Sequence, residues 1–142
     1  MSTVRQQLRN HAVALVSLVI ALSSLGYNTW RNERTERNRN VRTATFELLM
    51  RLADLERTVF LAQYEHDSRG GSPRTGWTYV LTIRDLAALA PPPVPAQAAQ
   101  LQRVWRDNWE GLGHEDEQAA TRIDDAIGSL RESCLATLHS LH

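Results

Sequence analysis

The sequence predicts an all-α fold: an N-terminal transmembrane helix continuing into an antiparallel helical bundle of four soluble segments. Three observations predict it. Residues 12–30, AVALVSLVIALSSLGYNTW, hold no charged residue. From Val41 onward apolar residues recur at helical spacing, interrupted by short breaks that contain Gly or Pro. No run of alternating β-branched residues lies between hairpin turns.

Residues 1–11 are a polar N-terminus, with a helix start near Ser2 or Thr3. The span follows at 12–30. At about 1.5 Å per residue it covers roughly 28 Å, close to the hydrocarbon thickness of a bilayer. Ser17, Ser23, Ser24 and Asn28 dilute it. Tyr27, Trp30, Arg31 and Arg34 sit at its C-terminal end, where amphipathic rings and snorkelling arginines prefer the headgroup level. Ala14, Ser17, Ala21 and Ser24 fall on one stripe, extended by Asn28, and small residues let helices approach closely in lipid. Competing readings of the run are a cleaved signal peptide, with Ala21-Leu22-Ser23 at the cleavage site, and a buried core helix.

Orientation follows the arginine count. Arg5 and Arg9 precede the span; Arg31, Arg34, Arg37, Arg39 and Arg42 follow it. Five against two predicts a cytoplasmic C-terminal side and an outward N-terminus, with the bundle facing the periplasm as the alternative. Residues 31–40 form an arginine-rich neck without proline, in which Glu33 with Arg37 and Glu36 with Arg39 are spaced as helical ion pairs. Asn28, Asn32, Glu36 and Asn40, four apart, make a polar stripe along it, read as a solvated face or as a headgroup or partner contact.

Residues 41–142 are the bundle domain. Its first segment, about 36–66, carries Val41, Thr45, Leu48, Leu52, Leu55, Val59 and Ala62 in a heptad seam, and Phe46, Leu49 and Phe60 are expected to widen that seam into a core face. Ser72-Pro73 marks the second start, N-cap then first helical position, for a helix over 73–90. Pro91-Pro92-Pro93-Val94-Pro95 ends it and opens a third, 95–111, with Trp105 and Trp109 on one side. After Gly111-Leu112-Gly113 the fourth covers 114–141, its first turn loaded with acid by Glu115, Asp116 and Glu117. The first and fourth segments are the longer pair. The membrane-proximal part is therefore expected to be two helices whose seam residues Val41, Leu48, Leu130, Leu135, Leu138 and Leu141 need a second copy or another protein to cover them, the rival reading being that the second and third helices slide or tilt over the gap.

The chain is neutral overall, which gives no sign of nucleic-acid binding, and all sixteen basic residues are arginine. Cys134 is the single cysteine, which excludes an intramolecular disulfide. No phosphate loop, nucleophile motif or paired Glu-x-x-His appears, so an enzyme is not expected and no catalytic, cofactor or metal residues are assigned. His139 with His142, and His66 with His114 beside Glu65, Asp67, Glu110 and Glu115, are the only groupings with ligand character, and helix-end polar caps explain them as well. Trp77, Trp105 and Trp109 are expected in the core, with a ligand pocket as the alternative.

The neck YNTWRNERTERNRNVRTATFELL resembles a stretch in small single-span bacterial inner-membrane proteins to which no activity is assigned, over about residues 15–60. The resemblance implies an inner-membrane location and no chemistry. The sequence leads to a membrane-anchored helical interaction or scaffold protein whose partners are the lipid bilayer and itself or another membrane-associated protein. A small-ligand or metal sensor is the alternative.

Overall fold

The computed structural model describes residues 2–67, 69–113 and 117–141. It contains four α-helices: α1 (Ser2–Gln63), α2 (Pro73–Ala87), α3 (Val94–Asn108) and α4 (Glu117–Ser140), with a 3-10 turn at Trp109–Gly111 between α3 and α4. No strand occurs among the described residues. The chain divides into two compact units, Met1–Asn38 and Arg39–His142.

The first unit is helix alone. Residues 12–37 are exposed throughout. Its most apolar 18 residues have a mean hydropathy of 1.6, and none of that surface is buried within the chain. It is the one helix among the described residues that is long and apolar enough to cross a membrane.

In the second unit the bundle closes around one core. Leu48, Leu52, Leu55 and Val59 of α1 meet Val80 and Ile83 of α2, Leu101 and Trp105 of α3, and Ile123, Ile127 and Leu130 of α4. Three polar links show that α1 and α4 run antiparallel. Gly113 N–H donates to Gln63 Oε1 at 2.9 Å, Arg131 Nη2 pairs with Glu56 Oε2 at 2.7 Å, and Arg42 Nη2 donates to the Leu141 carbonyl at 2.8 Å. As the number rises on one helix it falls on the other. Arg84 to Gln102 (3.3 Å) does the same for α2 and α3, whose close approach is set by Gly76 beneath the Trp105 ring.

The breaks are local chemistry. α1 stops at Gln63, three residues short of the expected His66. The Asp67 N–H turns back to the Leu61 carbonyl at 3.1 Å, and His66 takes the left-handed conformation at φ 51° that closes such a helix end. Asp67 Oδ1 then accepts from the Arg69 N–H at 2.9 Å. These two main-chain donors, Arg69 and Gly70, hold the Asp67 carboxyl below its ordinary range. Ser72 occupies the N-cap position ahead of Pro73, but its side chain makes no capping bond. α2 ends at Ala87 instead of 90, and α3 starts one residue early, at Val94, on the Pro91 carbonyl. Gly113, at φ 78°, turns the chain toward α4. The expected acidic first turn of α4 falls partly on Glu115 and Asp116, which, with His114, lie outside the described residues.

The lengths are unequal, as the sequence predicts. α2 and α3, at fifteen residues each, are about 22 Å long, whereas α4 has twenty-four residues and spans about 36 Å. Beyond Leu48 and Leu130 burial continues along the outer pair through Ala44, Thr45, Cys134 and Thr137.

Candidate functional site

The sequence assigns the seam Val41, Leu48, Leu130, Leu135, Leu138 and Leu141 to a missing partner, and the structure corrects this. Leu48 and Leu130 are fully buried in the chain's own core, and Val41 is buried too. Between Val41 and Leu48, and beyond Leu130, the seam continues through Ala44, Thr45, Cys134 and Thr137, all buried and all small. Leu48, Leu130 and Cys134 belong to the one buried cluster that also holds Ala87, Ala90 and Val94 around the α2–α3 connection, so the chain's own core takes up this part of the seam. The two threonines remain compatible with burial because Thr45 Oγ1 donates to the Val41 carbonyl (2.7 Å) and Thr137 Oγ1 to the Ser133 carbonyl (2.9 Å). Leu138 and Leu141 are half-buried. Leu135 is not part of this seam: it stands one residue past Cys134, on the outer side of α4, and is 43% exposed.

A second correction shows where apolar surface is left free. Phe46 and Phe60, expected to widen the core face, are 54% and 49% exposed. Met50 (62%) and Tyr64 (64%) join them. Phe46, Met50, Ala53, Arg57, Phe60 and Tyr64 follow a 4-3-4-3-4 spacing and all are exposed. They form a second heptad stripe on the face of α1 opposite the buried one. Phe60 and Tyr64 stack with ring centroids 5.3 Å apart. Thr45, adjacent to Phe46 in the chain, stays in the expected buried seam.

Three ion pairs form in the bundle among the described residues. Arg51 is held between Glu47 and Asp54, and Arg131 by Glu56. Asp124 sits partly desolvated near Glu56 and Asp125, and burial together with those two negative charges pushes its carboxyl above the ordinary range. The Cys134 thiol, buried in apolar surroundings, is pushed up to about 11. That makes it a poor nucleophile near neutrality.

The groupings with ligand character fall partly outside the described residues. His66, Glu65, Asp67 and Glu110 are exposed at the end of the bundle where α1 ends, while His114, Glu115 and His142 lie outside the described residues. Among the described residues no three His, Cys, Asp or Glu side chains come together as a metal-binding group. Of the tryptophans, Trp105 is fully buried, and Trp77 and Trp109 pack partly buried against the same core.

In the first unit Tyr27, Trp30, Arg31 and Arg34 are all exposed, as are Ala14, Ser17, Ala21 and Ser24. Tyr27 and Trp30 lie 6.3 Å apart, and the Arg34 guanidinium stands 5.6 Å over the Trp30 ring. The expected pairs Glu33–Arg37 and Glu36–Arg39 do not close: among the described residues the ion pairs involve only Arg51 and Arg131.

These features define a class: an all-α chain that joins an apolar, unburied N-terminal helix to a four-helix bundle with an apolar outer stripe. The chain matches no protein-family model, no curated protein and no solved structure.

Proposed function

We propose that this chain is a membrane-anchored helical interaction protein that assembles with a second copy, or with another membrane-associated protein, at a bacterial inner membrane. The observation that carries the reading is the outer stripe of α1. Four large apolar side chains, each about half or more exposed, lie on one face of a helix whose opposite face already serves the core. The stripe exposes about 400 Å², the size of a typical monomer's largest apolar patch, which often marks an interaction site. Two such faces together fall below the ~1,200 Å² of a standard interface. Pairing in dilute solution would therefore be weak. Anchoring supplies what is missing, because helices confined to one bilayer meet at a high effective concentration. The arginine asymmetry around residues 12–30 supports a bundle on the cytoplasmic side, which a reporter fused after residue 142 checks.

The test is the mass of the tagged full-length chain in mild detergent, with two sets of variants. Phe46→Ser with Met50→Ser, and Phe60→Ser with Tyr64→Ser, change exposed positions. Each pair is expected to abolish assembly and leave the melting temperature within a few degrees. Leu48→Asp places a charge in the core and is expected to unfold the bundle instead. Assembly that persists in both serine pairs would refute the role given to the stripe.

A further inference from the structure

One concavity in the first unit has no part in the fold or in the stripe. It measures about 360 Å³ and is lined by Trp30, Glu33, Arg34 and Arg37. Residues 30, 33, 34 and 37 share one helix face, being three or four apart. The face begins at the last residue of the uncharged run and continues for two turns, so on a spanning helix it lies at headgroup depth.

Its chemistry is cationic and unspent. No carboxylate comes within ion-pair distance of Arg34 or Arg37 among the described residues, although Glu33 sits on the same wall. Arg34 instead stands over the Trp30 ring at 5.6 Å, a contact with the aromatic face that uses none of its N–H donors in an ion pair. Two arginines with free forks match phosphate oxygens in geometry as well as charge. Against them Glu33 supplies one negative charge, so the wall carries a net single positive charge, which matches the single negative charge of a phosphodiester with an otherwise neutral headgroup.

We propose that Arg34 and Arg37, with Trp30 as the apolar floor, hold the phosphate of an anionic phospholipid of the phosphatidylglycerol type. The indole ring lies against the upper acyl and glycerol region, and the guanidinium groups reach the phosphate from the same helix face. Arg31, one turn before Arg34, adds attraction without lining the cavity. The inference rests on the anchor lying in a bilayer, and it does not depend on assembly.

Native mass spectrometry of the full-length chain, released from an uncharged detergent, reads lipid adducts and protein stoichiometry separately. The probes are phosphatidylglycerol, phosphatidylcholine and inorganic phosphate alone. Phosphatidylglycerol is expected to be retained in preference to phosphatidylcholine. Arg34→Gln with Arg37→Gln is expected to weaken that retention roughly thirty-fold, the effect of about 1 kcal/mol per arginine at the membrane surface. Arg103→Gln with Arg106→Gln removes the same charge from the bundle and is expected to leave it unchanged. Equal losses in the two double variants would reduce the effect to net charge and overturn the site, as would no loss in the first. Inorganic phosphate that binds alone and displaces the lipid would overturn the lipid assignment. A monomer that still retains phosphatidylglycerol would leave this inference standing while removing the assembly reading.

Discussion

Gly76 and Trp105 offer the sharpest test of how the bundle is packed. Gly76 lies on α2 directly beneath the six-membered ring of Trp105, and a Cβ at this position would overlap Cζ2 and Cη2. Trp105 is the largest fully buried side chain and has no room to retreat. Gly76→Ala therefore sets two effects against each other. Alanine gains about 1 kcal/mol in helix propensity. Overpacking a closed core costs about 1–3 kcal/mol, and a rigid ring struck at two atoms belongs at the upper end. The net expectation is a loss of about 1–2 kcal/mol. At ~4–8 °C per kcal/mol for a bundle of this size, the melting temperature should fall by roughly 5–15 °C. Trp105→Phe removes the struck atoms, together with an indole N–H that is buried without a partner among the described residues. In that background Gly76→Ala should become stabilising by about 1 kcal/mol, giving a coupling of about 2–3 kcal/mol. Thermal unfolding followed by circular dichroism at 222 nm, on the four full-length proteins in the same detergent, completes the cycle. A Gly76→Ala protein that melts higher than the parent, or one that loses equally in both backgrounds, would refute the packing argument.

Two further outcomes follow from the titratable groups. Cys134, buried and with its thiol near 11, should resist iodoacetamide at pH 8 in the folded protein and react fully once denatured; rapid labelling of the native protein would contradict its burial. Asp124 has a carboxyl raised by burial and by Glu56 and Asp125, so its ionisation weakens the folded state as pH rises through the raised value. Asp124→Asn should therefore melt slightly higher than the parent at pH 7, with the gap closing as pH falls below the ordinary 3.8, where the parent carboxyl is neutral in both states. A gap that stays constant across that range would point to a cause other than the charge.

Much of the fold was legible in the sequence because its signals are local. The Ser72-Pro73 start, the proline run at 91–93 and the glycines at 111 and 113 place every break within a few residues. Leu48, Leu52, Leu55 and Val59 announce the core by spacing alone. What spacing could not settle was how wide the buried face of α1 is. Phe46 and Phe60, expected to widen it, fall with Met50 on a second heptad series and are exposed. Thr45 is buried while Phe46, the next residue, is not. The same one-residue ambiguity separates buried Cys134 from exposed Leu135. At Trp30 the sequence expects an aromatic and arginine group at a membrane interface. That its arginines stay free of Glu33 and Glu36 required side-chain geometry, since the spacing favoured pairing.

The end of the bundle where α1 stops has an evolutionary consequence. Two loops converge on the backbone of one residue, Ala62: a Cβ on Gly71 would strike its amide nitrogen and Cα, and one on Gly113 would come within 3.1 Å of its carbonyl oxygen. Next to it, the Gln63 side chain takes the Gly113 amide. Positions 71 and 113 thus share one constraint, the backbone of a residue that neither adjoins in the chain. Sequences descending from this one would lose either glycine only by moving its loop away from the end of α1. Gly26 and Gly128, with nothing within 4 Å of where a Cβ would stand, are free to drift independently. Divergence in this lineage should therefore leave Gly71 and Gly113 fixed at this end of the bundle, as Gly76 is fixed beneath Trp105, while Gly26 and Gly128 wear freely.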